Sequence, residues 1–196
     1  MILIDLIKYF AKFPSKEGVL NTFVRGESSM PLYQSLKADL ESLPEACILP
    51  GIERFVVASS LDKVKVFVSS FIGYNTFLML DYGEISSIPD AHNAIQDQMR
   101  LAVTVACHLE DSADLMEENI ASSVTLELVN ELRAHIMADS RMGRIGNGIQ
   151  NLIAGAHQLV PFESKDLQSI GWTIAFSLDA TDLLDVSGLS LQYSKL

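Results

Sequence analysis

Apolar residues recur at every fourth position from Ile120 through Val124, Leu128 and Leu132 to Ile136, and Ala121 and Val129 widen the stripe. Ser123, Glu127, Asn130, Glu131 and Arg133 fall on the other side. This spacing predicts an amphipathic helix from about Asn119 to Ala138 with one buried face, about five turns long. A stripe of that length needs a sheet or other helices to lie on.

Candidate strands flank it on both sides. Tyr74 to Tyr82 carries Phe77, Leu78, Met79 and Leu80, and Asp81-Tyr82-Gly83 reads as its end. Ser86 to Ala94, with Pro89, reads as a loop. From Gln98 to Glu110 the chain alternates: Leu101, Val103, Val105 and Cys107 share one face, while Arg100, Ala102, Thr104, Ala106 and His108 share the other. The small residues of the second face predict either close packing or an exposed side. After the helix, Ile153–Phe162 and Gly171–Leu178 read as strands, the latter with Trp172, Ile174, Phe176 and Leu178 alternating. Thr181 to Leu196 is a tail with weak alternation.

The first fifty residues pattern as short helices. Ile2, Leu6, Phe10 and Phe13 share a face until Pro14 stops the helix. Ser15 is placed to cap a segment from Lys16 to Val24, which Gly18 weakens. Pro31 opens a third helix reaching about Glu41, with Leu32, Leu36 and Leu40 on one face. Arg54–Ala58 is β-like. Asp62–Phe71 fits both strand and helix; helix is preferred because Ser60 or Asp62 can cap it. The expected class is therefore α+β: a mostly antiparallel sheet packed by one long helix, with an N-terminal helical segment over 1–50 and an α+β domain over 51–196.

Composition adds two constraints. With 196 residues and 48% of them hydrophobic, a sizeable core is available. A formal charge of −11 argues against nonspecific nucleic-acid binding, which needs clustered cations; Arg133, Arg141 and Arg144 have no aromatic platform nearby. The first thirteen residues are too short to span a membrane and carry Asp5, Lys8 and Lys12. They have neither a basic leader nor a small-residue cleavage site, so no signal peptide is expected. Packing on their own domain is the expected use of this helix, with a neighbouring subunit as the alternative. Cys47 and Cys107 have no framework or zinc spacing and read as free, buried thiols.

Candidate chemistry is thin. Asp111, Asp114, Glu117 and Glu118 cluster ahead of the long helix, where acids suit the helix dipole; they lack the spacing and turn glycine of a calcium loop. Gly143-Arg-Ile-Gly146-Asn-Gly148 has phosphate-loop composition, yet it follows a helix and precedes a strand, the reverse of the required context. His92, His108, His135 and His157 form no ligand motif, and alternation sends Cys107 and His108 to opposite faces. Asp81 with Tyr82 reads as a capped strand end, with catalysis as the alternative. Trp172 reads as core or subunit interface. No catalytic, cofactor-binding or metal-binding residue is assigned, and no enzyme is expected.

Phe77-Leu-Met-Leu-Asp-Tyr-Gly83, Arg100-Leu-Ala-Val-Thr-Val-Ala106, the long helix and Ser169-Ile-Gly-Trp-Thr-Ile-Ala-Phe176 together resemble, in order and length, the tail-terminator and tail-completion (head–tail connector) proteins of tailed phages and prophages. The resemblance spans roughly Tyr74 to Asp182 and rests on layout. It implies a structural virion or prophage protein without catalytic residues or cofactor. Such a protein assembles as a homo-oligomeric ring, contacts other tail or connector proteins, and resides in the virion or the cytoplasm of a bacterial host. Two other classes remain open: a small ligand-binding domain or enzyme with a site assembled from distant residues, and an adaptor that binds through the Met1–Phe13 helix.

Overall fold

In the computed structural model, Val103 and Thr104 are neighbours on one strand, face opposite ways, and are both buried. The structure describes residues 2–23, 26–58, 61–68, 70, 75–89, 95–110, 114–145, 149, 152 and 157–180. The elements run α1 (Ile2–Phe10), α2 (Lys16–Phe23), α3 (Pro31–Glu41), β1 (Arg54–Ala58), α4 (Leu61–Val68), β2 (Asn75–Pro89), β3 (Ile95–His108), α5 (Leu115–Arg141), β4 (His157–Ser164) and β5 (Ser169–Ala180). They form a five-stranded sheet in the order β1-β2-β3-β5-β4. Three of its pairings are antiparallel, while β1 and β2 run parallel. The class is α+β, as the pattern predicts, with a mixed sheet. Parallel neighbours need a crossover, and α4 supplies it.

The ambiguous stretch after Ala58 is thus a helix. Val64 and Val68 pack with Val56, Phe77, Met79, Ala106 and Leu167 on one face of the sheet. The other face carries Leu78, Leu80, Leu101, Val103, Val105, Ile174 and Phe176, which meet Val129, Leu132 and Ile136 of α5. Leu6, Phe10 and Phe13 join this same cluster. The apolar face of α1 therefore packs within its own chain. Tyr9 sits edge-on to Phe10 and Phe13, with ring centroids 5.2 and 5.6 Å away.

Two expectations need correction. Ser86–Ala94 reads as a loop in the sequence, but residues 86–89 belong to β2, which continues to Pro89; residues 90–94 lie outside the described residues. The pairing shifts between Tyr82 and Ile85, and such an irregularity lets a strand resume beyond a turn-like Asp-Tyr-Gly sequence. The second correction concerns α5. Ala121, Thr125, Val129, Leu132 and Ile136 are buried, whereas Ile120 and Val124 are not. A strict four-residue repeat advances about 40° per step around a helix of 3.6 residues per turn. Over the four steps from Ile120 to Ile136 the row rotates by about 160°, so its two ends cannot face the same sheet.

Gly18 reads as a weak point of its helix in sequence, yet a Cβ there would lie 1.8 Å from the Glu53 carbonyl oxygen. The absent side chain lets α2 approach the chain entering β1. Ser15 caps the helix as expected, its Oγ accepting from Gly18 N at 3.1 Å and donating to Glu53 O at 2.8 Å. We expect Gly18→Ala to cost more than about 2 kcal/mol despite alanine's better helix propensity. Phe10→Ala should cost about 3–5 kcal/mol by opening a cavity beneath α1. Denaturant unfolding of the two variants checks both values.

Candidate functional site

The first half of α5 carries the most unusual surface. The helix is anchored by a capping box: Asp114 Oδ1 accepts from Met116 N at 2.9 Å and Glu117 N at 3.0 Å, and Asp114 N donates to Glu117 Oε2 at 3.0 Å. Two of the acidic residues noted in the sequence therefore hold the helix start. Glu118 lines a polar hollow of about 250 Å³ with Glu110, Glu163 and Lys165; Asp111 lies outside the described residues. Further along, Trp172 Nε1 donates to Ser122 O at 3.1 Å and Ser122 Oγ at 3.2 Å, tying α5 to β5. Ala121 lies on Cys107, Leu109 and Ile170.

This attachment leaves Leu115, Met116, Ile120 and Val124 turned outward, at 76, 71, 57 and 47% exposure. Beside them an apolar hollow of about 300 Å³ is lined by Thr76, Cys107, Glu117, Ile120, Ala121 and Val124. Ala121 is too short to fill the space over the end of β3. Glu117, at the rim, is engaged in the cap. The Cys107 thiol is pushed up by burial; the Thr76 hydrogen bond opposes this and the charge of Glu53 adds to it. A thiol so placed is a poor nucleophile. The arrangement can take apolar groups and offers no acid–base pair.

The remaining candidates are structural or dispersed. Gly143 has φ +62° just past the end of α5 and donates to Ser140 O at 3.2 Å, as a helix-terminating glycine does. Gly146 and Gly148 lie outside the described residues, as does His92. His108 Nδ1 is 3.0 Å from Leu167 O across the sheet from the Cys107 side, Arg133 Nε donates to His157 Nε2 at 2.6 Å, and exposed His135 meets the Phe13 ring. Among the described residues, no group of three His, Cys, Asp or Glu is arranged to hold a metal ion. No helix among them is long and apolar enough to cross a membrane.

Asp81 and Tyr82, expected at a strand end, lie mid-strand because β2 continues past the irregularity. Burial pushes the Asp81 carboxyl above the usual carboxylate range. It lines an open hollow of about 420 Å³ with Arg100, Gln158, Ala175 and Ser177, on the part of the sheet that α4 leaves uncovered. A partly buried cluster joins α1 to the end of α5: Tyr9 Oη donates to Asp139 Oδ2 at 3.1 Å, and Lys12 Nζ lies 3.6 Å from the same oxygen and 4.0 Å from the Tyr9 ring centroid. Burial, then the charge and hydrogen bond of Asp139, hold the Tyr9 hydroxyl far above the ordinary phenol range. Burial lowers Lys12, and Asp139 counters it. These side chains clamp two helices together.

Ile120 and Val124 stood in the sequence as the first members of the four-residue row, whereas Leu115 and Met116 precede the helix start expected at about Asn119 and join the stripe because α5 begins at Leu115. The hollow had no linear signal, because Thr76, Cys107 and Ala121 meet only in the folded sheet.

Two outcomes follow. An alkylating reagent should modify half-buried Cys47 well before Cys107, whose rate should rise only above the ordinary thiol pH range; peptide mapping over time and pH reads this directly. For Asp81, the raised carboxyl makes its ionised form unfavourable in the fold, so its stability contribution is lost as pH rises through the folded value. Asp81→Asn should therefore raise the melting temperature at neutral pH, with the gain vanishing below the usual carboxylate range.

Comparison of the chain with known protein families, curated proteins and solved structures found no match.

Proposed function

We propose that this protein is a non-catalytic assembly protein of the tail-terminator or connector kind, acting as a homo-oligomer, with a ring as the expected closed form, that contacts other tail or connector proteins in a virion or in the cytoplasm of a bacterial host. The observation that carries the assembly reading is the outward row Leu115, Met116, Ile120 and Val124 on an otherwise firmly seated helix. Clustered apolar exposure on a well-packed scaffold is characteristic of a surface that is covered in the working assembly. The acidic balance of −11 favours protein contacts over direct nucleic-acid binding. The layout of hairpin, long helix and second hairpin is the basis of the connector resemblance, and it supports the identity of the assembly less directly than the stripe supports assembly itself.

The apolar hollow beside Cys107 favours a second reading, a small ligand-binding domain whose site is assembled from β2, β3 and α5. The adaptor alternative through α1 receives less support, because Leu6, Phe10 and Phe13 are already buried in the core.

Absolute mass by light scattering on a sizing column, over a range of concentrations, tests the assembly reading. A closed oligomer, or growth towards one with concentration, is the expected result. A monomer throughout, combined with saturable uptake of a hydrophobic fluorescent probe that Ala121→Leu abolishes, would shift the function to ligand binding.

A further inference from the structure

The row of side chains that crosses the sheet at Asp81 differs from the rows beside it. Asp81 pairs with Ala102, Ala102 with Ala175, and Ala175 with Gln158, so four strands contribute to one row. Residues directly opposite each other share a face of the sheet, here the face that carries α4. One row nearer to α4, Met79, Thr104 and Thr173 are closed off. One row further away, Arg100 stands opposite Ser177. Between these rows the two alanines make a low floor under the hollow of about 420 Å³. At about 4.8 Å per strand, Asp81 and Gln158 stand at its two ends, about 14 Å apart. Arg100 is the diagonal neighbour of Asp81, at a backbone separation of about 7–8 Å.

Asp81 and Arg100 are the one acid and the one base that line the hollow. Among the described residues their side chains make no hydrogen bond or ion pair, with each other or with a third group. Acids at other joints of the molecule are engaged: Asp139 by Tyr9 and Lys12, Glu117 by the backbone of Asp114. A half-buried carboxylate without a partner costs stability, and a complementary group arriving from outside removes that cost. Such a group at the edge of a cavity is the mark of a binding position.

The charges of the lining select the ligand. A metal ion needs several oxygen ligands, and one acid faces this hollow. A phosphate or other anion would meet the Asp81 carboxylate, and a simple amine would meet the Arg100 guanidinium. A zwitterion answers both, and an α-amino acid carries its ammonium and carboxylate side by side, as the diagonal pair presents their complements. The rest of such a molecule would cross the alanine floor towards the Gln158 amide, which both donates and accepts.

We infer that this hollow is a binding site for a free α-amino acid, with its ammonium on Asp81, its carboxylate on Arg100 and its side chain over Ala102 and Ala175 towards Gln158. The site lies on the opposite face of the sheet from α5 and stands apart from the assembly reading.

Saturation-transfer NMR of the full chain, titrated with L-glutamine, tests it. This probe has no net charge, so the protein's formal charge of −11 does not attract it nonspecifically. The expected result is a saturable signal. Asp81→Asn and Arg100→Gln should each weaken binding about tenfold or more, the effect of losing a charged hydrogen bond. Ala175→Leu should abolish it by filling the floor. Glutaramate, which lacks the ammonium, and L-glutaminamide, which lacks the carboxylate, should each bind at least about tenfold more weakly. Because Asp81→Asn is expected to melt higher than the parent protein, its loss of binding separates a lost contact from a lost fold. Absence of a saturable L-glutamine signal overturns the proposal. Binding that survives Asp81→Asn, or survives Ala175→Leu in a chain that still melts cooperatively, overturns the site. Equal binding of glutaramate overturns the zwitterion and leaves an anion on Arg100.

Discussion

Burial of β3 on both faces is the constraint on which the rest of the molecule depends. Leu101, Val103 and Val105 require apolar cover on one side, and Thr104 and Ala106 are closed off on the other. A strand so enclosed must be central, and the sheet around it must lie between two layers. The long helix and the N-terminal helices provide one layer, and α4 provides part of the second. The Thr104 and Thr173 hydroxyls, 2.7 Å apart, satisfy each other where the second face is buried without an apolar side chain. Past that pair, α4 no longer covers the sheet, and the small residues Ala102 and Ala175 border open space with Asp81 and Arg100.

The long helix divides its length between two tasks. Val129, Leu132 and Ile136 make its second half part of the main core. Its first half touches the sheet through the small side chain of Ala121 and through the Trp172–Ser122 hydrogen bonds. The capping box then fixes the helix start without drawing any large apolar side chain inward. A firmly held backbone presenting loose apolar side chains is a preorganised surface: little conformational entropy remains to be lost by the scaffold when something packs on it. This is why the stripe, rather than the acidic cluster or the glycine-rich segment, carries the functional reading.

Local signals were sufficient for most elements. Pro14 and Pro31 mark helix boundaries through φ restriction and the missing amide donor, and α1 and α3 lie where those residues place them. The alternation of β3 and β5 and the separation of Cys107 from His108 follow from the two-residue period of a strand. The Asp-Tyr-Gly sequence in β2 misleads because a shift in pairing is a property of two strands together, and one strand alone does not display it. Gly18 misleads for a related reason: propensity measures what glycine costs a helix, whereas its use here is the approach of Glu53 from another part of the chain.

The sequence by itself determined most element types, the class, the acidic balance and the presence of a long apolar row on α5, because periodicity, capping and composition act over a few residues. Only the tertiary structure decided which part of that row faces inward. A four-residue repeat rotates steadily around the helix, and the sequence contains no direction for the sheet on which the helix will rest. Once β3 and β5 fix that direction, Leu132 and Ile136 become core, Ile120 and Val124 become surface, and the hollow at Thr76, Cys107 and Ala121 forms from residues that the chain keeps far apart.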